Sequence, residues 1–139
     1  MHVDFDILNA AVAEFDALWV SERIYWLMRA AKDSGGDFSP EDLQVDRATT
    51  HISVGAFGVY VVGQGAEAVS AQWRFAAQRM LEILEETRTA ETVLLHHHQT
   101  VSDAQLEAAC EQVALFSNKT DLRNRAQELL KAMRQMAAA

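Results

Sequence analysis

The stretch THISVGAFGVYVVGQGAEAVSAQW, Thr50 to Trp73, decides how the rest of the chain is read. Its first half, Thr50 to Val62, is rich in β-branched and aromatic residues and carries glycines at 55 and 58. Such residues suit a pleated surface, and a glycine-containing gap between them signals a hairpin. One or two strands are predicted, turning around Gly55–Gly58, with a buried glycine-containing helix as the alternative. Beyond Gly65 the character changes. From Ala66 to Ala139 there are 74 residues with neither Gly nor Pro, rich in Ala, Leu, Glu, Gln and Arg. That segment is predicted to be mainly helical. The fold class is mainly α, with α+β as the alternative. We expect one domain over residues 1–139, of four to five helices with a small β element near 50–62, open to pairing with 92–98.

Within the breaker-free segment, Val69, Trp73, Ala76, Ala77, Met80, Ile83 and Leu84 form one apolar helical face, and predict a helix over about 66–88. Thr89 to Thr92 reads as a polar junction, and Thr92 to Gln99 as either a strand or a helical continuation. Ser102-Asp103 caps a helix to about Phe116, with Leu106, Cys110 and Val113 inward. After a turn at Ser117-Asn118-Lys119, Thr120 caps the last helix. Its stripe, Leu122, Ala126, Leu129, Met133 and Met136, steps 4, 3, 4, 3, the spacing of a coiled-coil seam. We therefore expect a homodimer through this helix, the competing reading being that it docks on its own domain.

Upstream, Leu8, Val12, Phe15 and Trp19 form one stripe and Val20, Ile24, Leu27 and Ala31 a second. At about 100° per residue the two lie roughly 120° apart, so one straight helix from Asp6 cannot bury both. A kink or break near Val20–Ser21 is predicted, with Ser21 as N-cap. Asp33-Ser34-Gly35-Gly36-Asp37 stops the helix. Ser39-Pro40-Glu41-Asp42 has the form of a helix start, Ser at N-cap and Pro at N1, and predicts a short helix to about Val45.

Three motifs bear on function. Gly63-Gln64-Gly65-Ala66-Glu67-Ala68 follows an apolar run and opens a helix, as the Gly-x-Gly-x-x-Ala dinucleotide fingerprint does. The predicted helix is too long for that unit, however. The next apolar run, Val93-Leu94-Leu95, leads into histidines instead of a ribose-binding acid, so a simple glycine turn is the expected reading. His96-His97-His98 would place His96 and His98 on one face of a strand, a two-imidazole start to a metal site. Asp103, Glu107 or His51 would have to supply a third ligand, and on a helix the site dissolves. No bound metal or cofactor is expected, and a small metal- or ligand-binding enzyme using His96–His98 or the Gly63–Gly65 turn stands as the alternative function. Cys110, the only cysteine, sits on an inward stripe and the serines lack a nucleophile-elbow context, so no catalytic residue is assigned.

The third motif is aromatic. Eight of the eleven aromatic residues precede Val61, among them Phe15, Trp19 and Trp26. Rings of this kind are either core or the anchors of a protein-binding surface with a charged rim. Core burial is the more common use and the favoured one, with the acids Glu14, Asp16 and Glu22 flanking these rings as the argument for the second. The chain carries a net −8, of which −7 falls in residues 1–46, whereas residues 119–139 carry +3. An acidic chain is a poor ligand for nucleic acid, which demands clustered Lys and Arg. The expected function is a non-catalytic protein–protein interaction module, possible forms being an acidic inhibitor or decoy of a nucleic-acid-binding protein. The expected partner has a basic surface, and the expected contact residues are Glu14, Asp16, Trp19, Glu22, Trp26, Asp33, Asp37, Glu41, Asp42 and Asp46. No apolar run reaches the ~20 residues of a membrane span, and Asp4 and Asp6 stand where a secretory signal carries bases, so a cytoplasmic protein is expected.

Overall fold

The structure, a computed structural model, describes residues 3–41, 48–96 and 101–138. Among these residues lie five α-helices and one three-stranded antiparallel sheet, the mainly α fold with a small β element that the sequence predicts. The chain divides into two compact units, Met1–Leu81 and Glu82–Ala139.

The first unit begins with α1, Phe5–Asp16, whose N-cap Asp4 accepts a hydrogen bond from the Ile7 N–H. A capping carboxylate also suits the positive end of the helix dipole. Leu8, Val12 and Phe15 are buried along one face. The helix ends four residues before the predicted break. A 3-10 turn at Val20–Glu22 follows, and α2 spans Arg23–Asp33 with Glu22, not Ser21, as its N-cap. Ile24, Leu27 and Ala31 face the core, as the second stripe requires, but Val20 lies outside the helix and is exposed. A Schellman motif closes α2: the Gly36 N–H donates to the Ala31 carbonyl at 2.7 Å and the Gly35 N–H to Lys32 at 3.2 Å.

The sheet has the order β1-β2-β3, with β1 at Asp37–Ser39, β2 at His51–Ala56 and β3 at Val59–Gln64. β2 and β3 form the predicted hairpin around Phe57-Gly58. Both turn residues have positive φ, 54° and 80°, as a type I′ turn requires. Phe57 is costly there, since a left-handed residue with a Cβ carries about 1–2 kcal/mol. Two contacts offset that cost: its N–H donates to Ser34 Oγ at 3.0 Å, and its ring lies 6.1 Å from that of Trp26. Ile52, Val54 and Ala56 of β2 and Val59 of β3 are buried, while Tyr60 and Val62 are exposed.

β1 is a correction to the predicted helix start. Ser39 is a strand residue paired with Ser53, and Phe38 pairs with Val54. The pairing partner, supplied by a segment more than ten residues downstream, outweighs a local cap signal. The rest of that expected helix, residues 42–45, lies outside the described residues.

Over 92–98 the helical alternative holds as far as the described residues go. α3 runs without interruption over Ala66–Leu95, so Thr92 to Leu95 is helical and pairs with no strand; residues 97 and 98 lie outside the described residues. The threonines at the presumed junction are reconciled to the helix by their own hydroxyls. Thr87, Thr89 and Thr92 donate to the carbonyls of Ile83, Glu85 and Arg88 at 2.7, 3.1 and 3.0 Å, the back-bonding available to Thr inside a helix. Ala90 and Leu94 continue the buried face.

In the second unit, the end of α3 packs with α4, Asp103–Phe116, and α5, Thr120–Ala138. Ser102 and Gln105 form a reciprocal capping box on α4. The core holds Ala90, Leu94, Ala109, Cys110, Val113, Ala126 and Leu130. Around it, Gln112 donates to Thr87 Oγ1 at 3.1 Å, and the nearly buried Glu91 carboxylate meets Lys119 Nζ at 2.7 Å.

Candidate partner-binding surface

The aromatic residues of the first unit divide by the element that carries them. Phe15, near the end of α1, faces inward and meets Trp26 of α2 at 5.6 Å and Trp73 of α3 at 5.3 Å between ring centroids. Trp26 and Trp73 lie 5.7 Å apart, close to edge-on, the offset geometry that ring quadrupoles favour. Trp73 is fully buried and its indole N–H donates to the Ala56 carbonyl at 3.4 Å. Trp26 is half-buried against this core. Trp19 differs: it falls between α1 and the 3-10 turn and is 79% exposed. The early end of α1 is the reason, because Phe15 and Trp19 no longer share a helix face.

Val20, the next residue, and Tyr25 of α2 are each about half exposed, Glu14 and Glu22 are exposed, and the Glu22 N–H donates to the Trp19 carbonyl at 2.9 Å. Asp16 is engaged: its two carboxylate oxygens accept from Arg74 Nε and Nη2 at 2.8 and 3.0 Å. That bidentate pair ties the end of α1 to α3, and leaves Asp16 less negative toward a partner than Glu14 or Glu22. Arg23 lies 5.0 Å from the Phe15 ring centroid in cation–π geometry. Asp33, Asp37 and Glu41 are exposed at the end of α2, in β1 and just after it. Asp42 and Asp46 lie outside the described residues. Val20 leaves the expected buried stripe because it falls in the 3-10 turn, and Tyr25 sits on α2 beside Ile24, off the 24–27–31 face.

The glycine motif has a structural explanation at Gly65. Gly63 is a strand residue opposite Ile52, and a Cβ there would approach Gln72 Oε1 to 2.6 Å. Gly65 has φ +94°, its N–H donates to the Thr50 carbonyl at 2.9 Å, and a Cβ would stand 2.8 Å from the Ala48 carbonyl oxygen. Gly65 is needed for the strand-to-helix turn itself, whereas at Gly63 a Cβ would meet only side-chain atoms of Gln72 and Val69. The strand before that turn is antiparallel to its neighbour, and Val93–Leu95, the run after the helix, closes α3.

His96 is an exposed turn residue just after α3, Asp103 opens α4, Glu107 lies on it, and His51 is exposed on β2; His98 lies outside the described residues. Among the described residues no group of three or more His, Cys, Asp and Glu is placed to hold a metal ion. Cys110 is fully buried, and burial pushes its thiol pKa up, with the Arg125 charge pulling it back by less. No helix among the described residues is long and apolar enough to cross a membrane. Compared with family models, curated proteins and solved structures, the chain has no match.

Proposed function

We propose that the chain is a non-catalytic protein–protein interaction module of the cytoplasm, whose acidic N-terminal third engages a partner with a basic surface. The observation that carries this reading is the 79% exposure of Trp19, flanked in sequence by the exposed acids Glu14 and Glu22, in a unit whose other two tryptophans are packed on the core. A large exposed ring is an affinity anchor, and the acids around it steer a basic partner to it. In its sharper form the module is an inhibitor or decoy that occupies the basic groove of a nucleic-acid-binding protein. It acts as a homodimer.

The test is capture from host lysate on the immobilised full chain, followed by direct kinetics with the retained protein. Wild type is expected to retain a basic protein that is released by salt and that loses its nucleic-acid binding when the chain is added. Trp19→Ala is expected to lose it through faster dissociation. A retained partner indifferent to both salt and Trp19→Ala would overturn the proposal.

A further inference from the structure

We propose that the open groove between α4 and α5 seats a second copy of this chain, docked about a two-fold axis so that α4 of each copy lies over α5 of the other. This rests on the homodimer reading above but moves it off the 4,3 stripe, because Ala126 is buried and Leu122 and Leu129 pack on the core of their own unit.

The groove has a volume of about 690 Å³. Ala114, Leu115 and Leu130 supply its apolar lining, and Glu111 on the α4 side stands opposite Lys131 and Arg134 on the α5 side. Leu115, on the α4 side of the groove, is 73% exposed. An apolar side chain of that size and exposure is what an interface between helix pairs would cover.

The charges select the occupant. α4 carries Asp103, Glu107 and Glu111 and no base, whereas α5 carries Arg123, Arg125, Lys131 and Arg134 against Asp121 and Glu128. Among the described residues, no ion pair joins Glu111, Lys131 or Arg134 to another charge. The surface that best matches one acidic and one basic wall has the same two walls in reverse order. A second copy rotated by a two-fold presents that surface, because an isologous interface is self-complementary and repeats each contact twice. Glu111 of each copy then faces the Lys131 and Arg134 positions of the other. Stacking α4 on α4 would oppose acid to acid. Exposed ion pairs contribute little individually, so the apolar floor carries the affinity and the charges set the orientation. At 1.5 Å per residue α4 is about 21 Å long and α5 about 28 Å. At an interaxial spacing of about 10 Å, a two-helix face of that length covers roughly 400–600 Å², below the ~800 Å² per partner of a standard interface, which places the dimer among the weak, transient ones.

Sedimentation equilibrium of the full chain tests this. Wild type is expected to move from 15.5 kDa toward twice that mass between low micromolar and submillimolar concentration. Leu115→Glu, at an exposed position, is expected to hold the mass at 15.5 kDa with an unchanged thermal unfolding curve. Glu111→Lys alone, and Lys131→Glu with Arg134→Glu, are each expected to weaken self-association about tenfold or more, as like charges meet across the interface. A mixture of those two variants is expected to dimerise again, since each supplies what the other has reversed. A dimer that persists in Leu115→Glu, or a mixture that fails to associate, overturns this surface and leaves the homodimer reading standing. A wild type that stays at 15.5 kDa throughout overturns both. Dodecanoate bound by such a monomer and lost in Lys131→Glu would assign the groove to an anionic amphiphile instead.

Discussion

Two tryptophans seven and fifty-four residues apart from a third show how little residue type says about role at the residue scale. Trp73 is sealed in the core with its indole N–H satisfied, whereas Trp19 is 79% exposed. Trp73→Ala is expected to cost about 3–5 kcal/mol, the transfer term plus a cavity, and urea unfolding will read it directly. Trp19→Ala is expected to stay within about 0.5 kcal/mol of wild type in the same experiment, as exposed substitutions do. A large loss of stability in that variant would remove Trp19 as a binding anchor. Cys110 offers a second residue-scale prediction. Burial raises its pKa above the ordinary value, so the folded chain holds the thiol proton more tightly than the unfolded chain does. That contribution to stability is fully present below the ordinary thiol pKa of about 8.5 and is lost as pH rises through the folded value. Melting temperature followed from about pH 7 to about pH 10 should fall less steeply in Cys110→Ala than in wild type, and iodoacetamide should label the native thiol more slowly than the unfolded one.

Elements record where local signals were sufficient. The capping box at Ser102 and the start of α4 at Asp103 were legible because both partners lie within one turn. The hairpin was legible because its turn lies between its own strands. β1 was not, because three residues with one apolar side chain have no periodicity to read, and their strand character comes from pairing with β2. The continuation of α3 through Thr89–Thr92 was ambiguous because threonine favours strands in general and is accepted here through back-bonded hydroxyls and a buried Ala90–Leu94 face. The strand-to-helix turn carries its own prediction. Gly65→Ala is expected to destabilise the chain by about 1–3 kcal/mol, because the residue must hold φ +94° with its Cβ 2.8 Å from the Ala48 carbonyl oxygen. A shift in melting temperature with no change in net charge or surface makes this a clean measurement, and an unchanged value would remove the structural account of the motif.

At the scale of the whole molecule the dominant fact is the charge distribution, −7 over residues 1–46 and +3 over 119–139. Association with a basic partner is expected to slow as ionic strength rises, since exposed charges are screened over about 10 Å at 0.1 M salt. Reversing Glu14 and Glu22 to Lys should lower the on-rate and flatten that salt dependence with little change in the off-rate, measured by surface plasmon resonance. Reversal of Asp16 should also cost stability, through the ion pair with Arg74, but by no more than about 1 kcal/mol for an exposed pair.

Composition, breaker placement and periodicity were enough for the helical class, the hairpin, the inward face of Cys110 and the uneven charge, because each depends on residues within a few turns of one another. The role of each aromatic ring depended on tertiary structure. Whether Phe15, Trp19 and Trp26 share a surface turns on where α1 ends, and α1 ends at Asp16, where the carboxylate meets Arg74 fifty-eight residues away. The same holds for the glycine at 65: its spacing from Gly63 resembles a ligand motif, and only φ +94° and the approach of the Ala48 carbonyl give it its reason. Contacts between segments distant in sequence have no local pattern, so the core and the surface of this chain were separated by its fold.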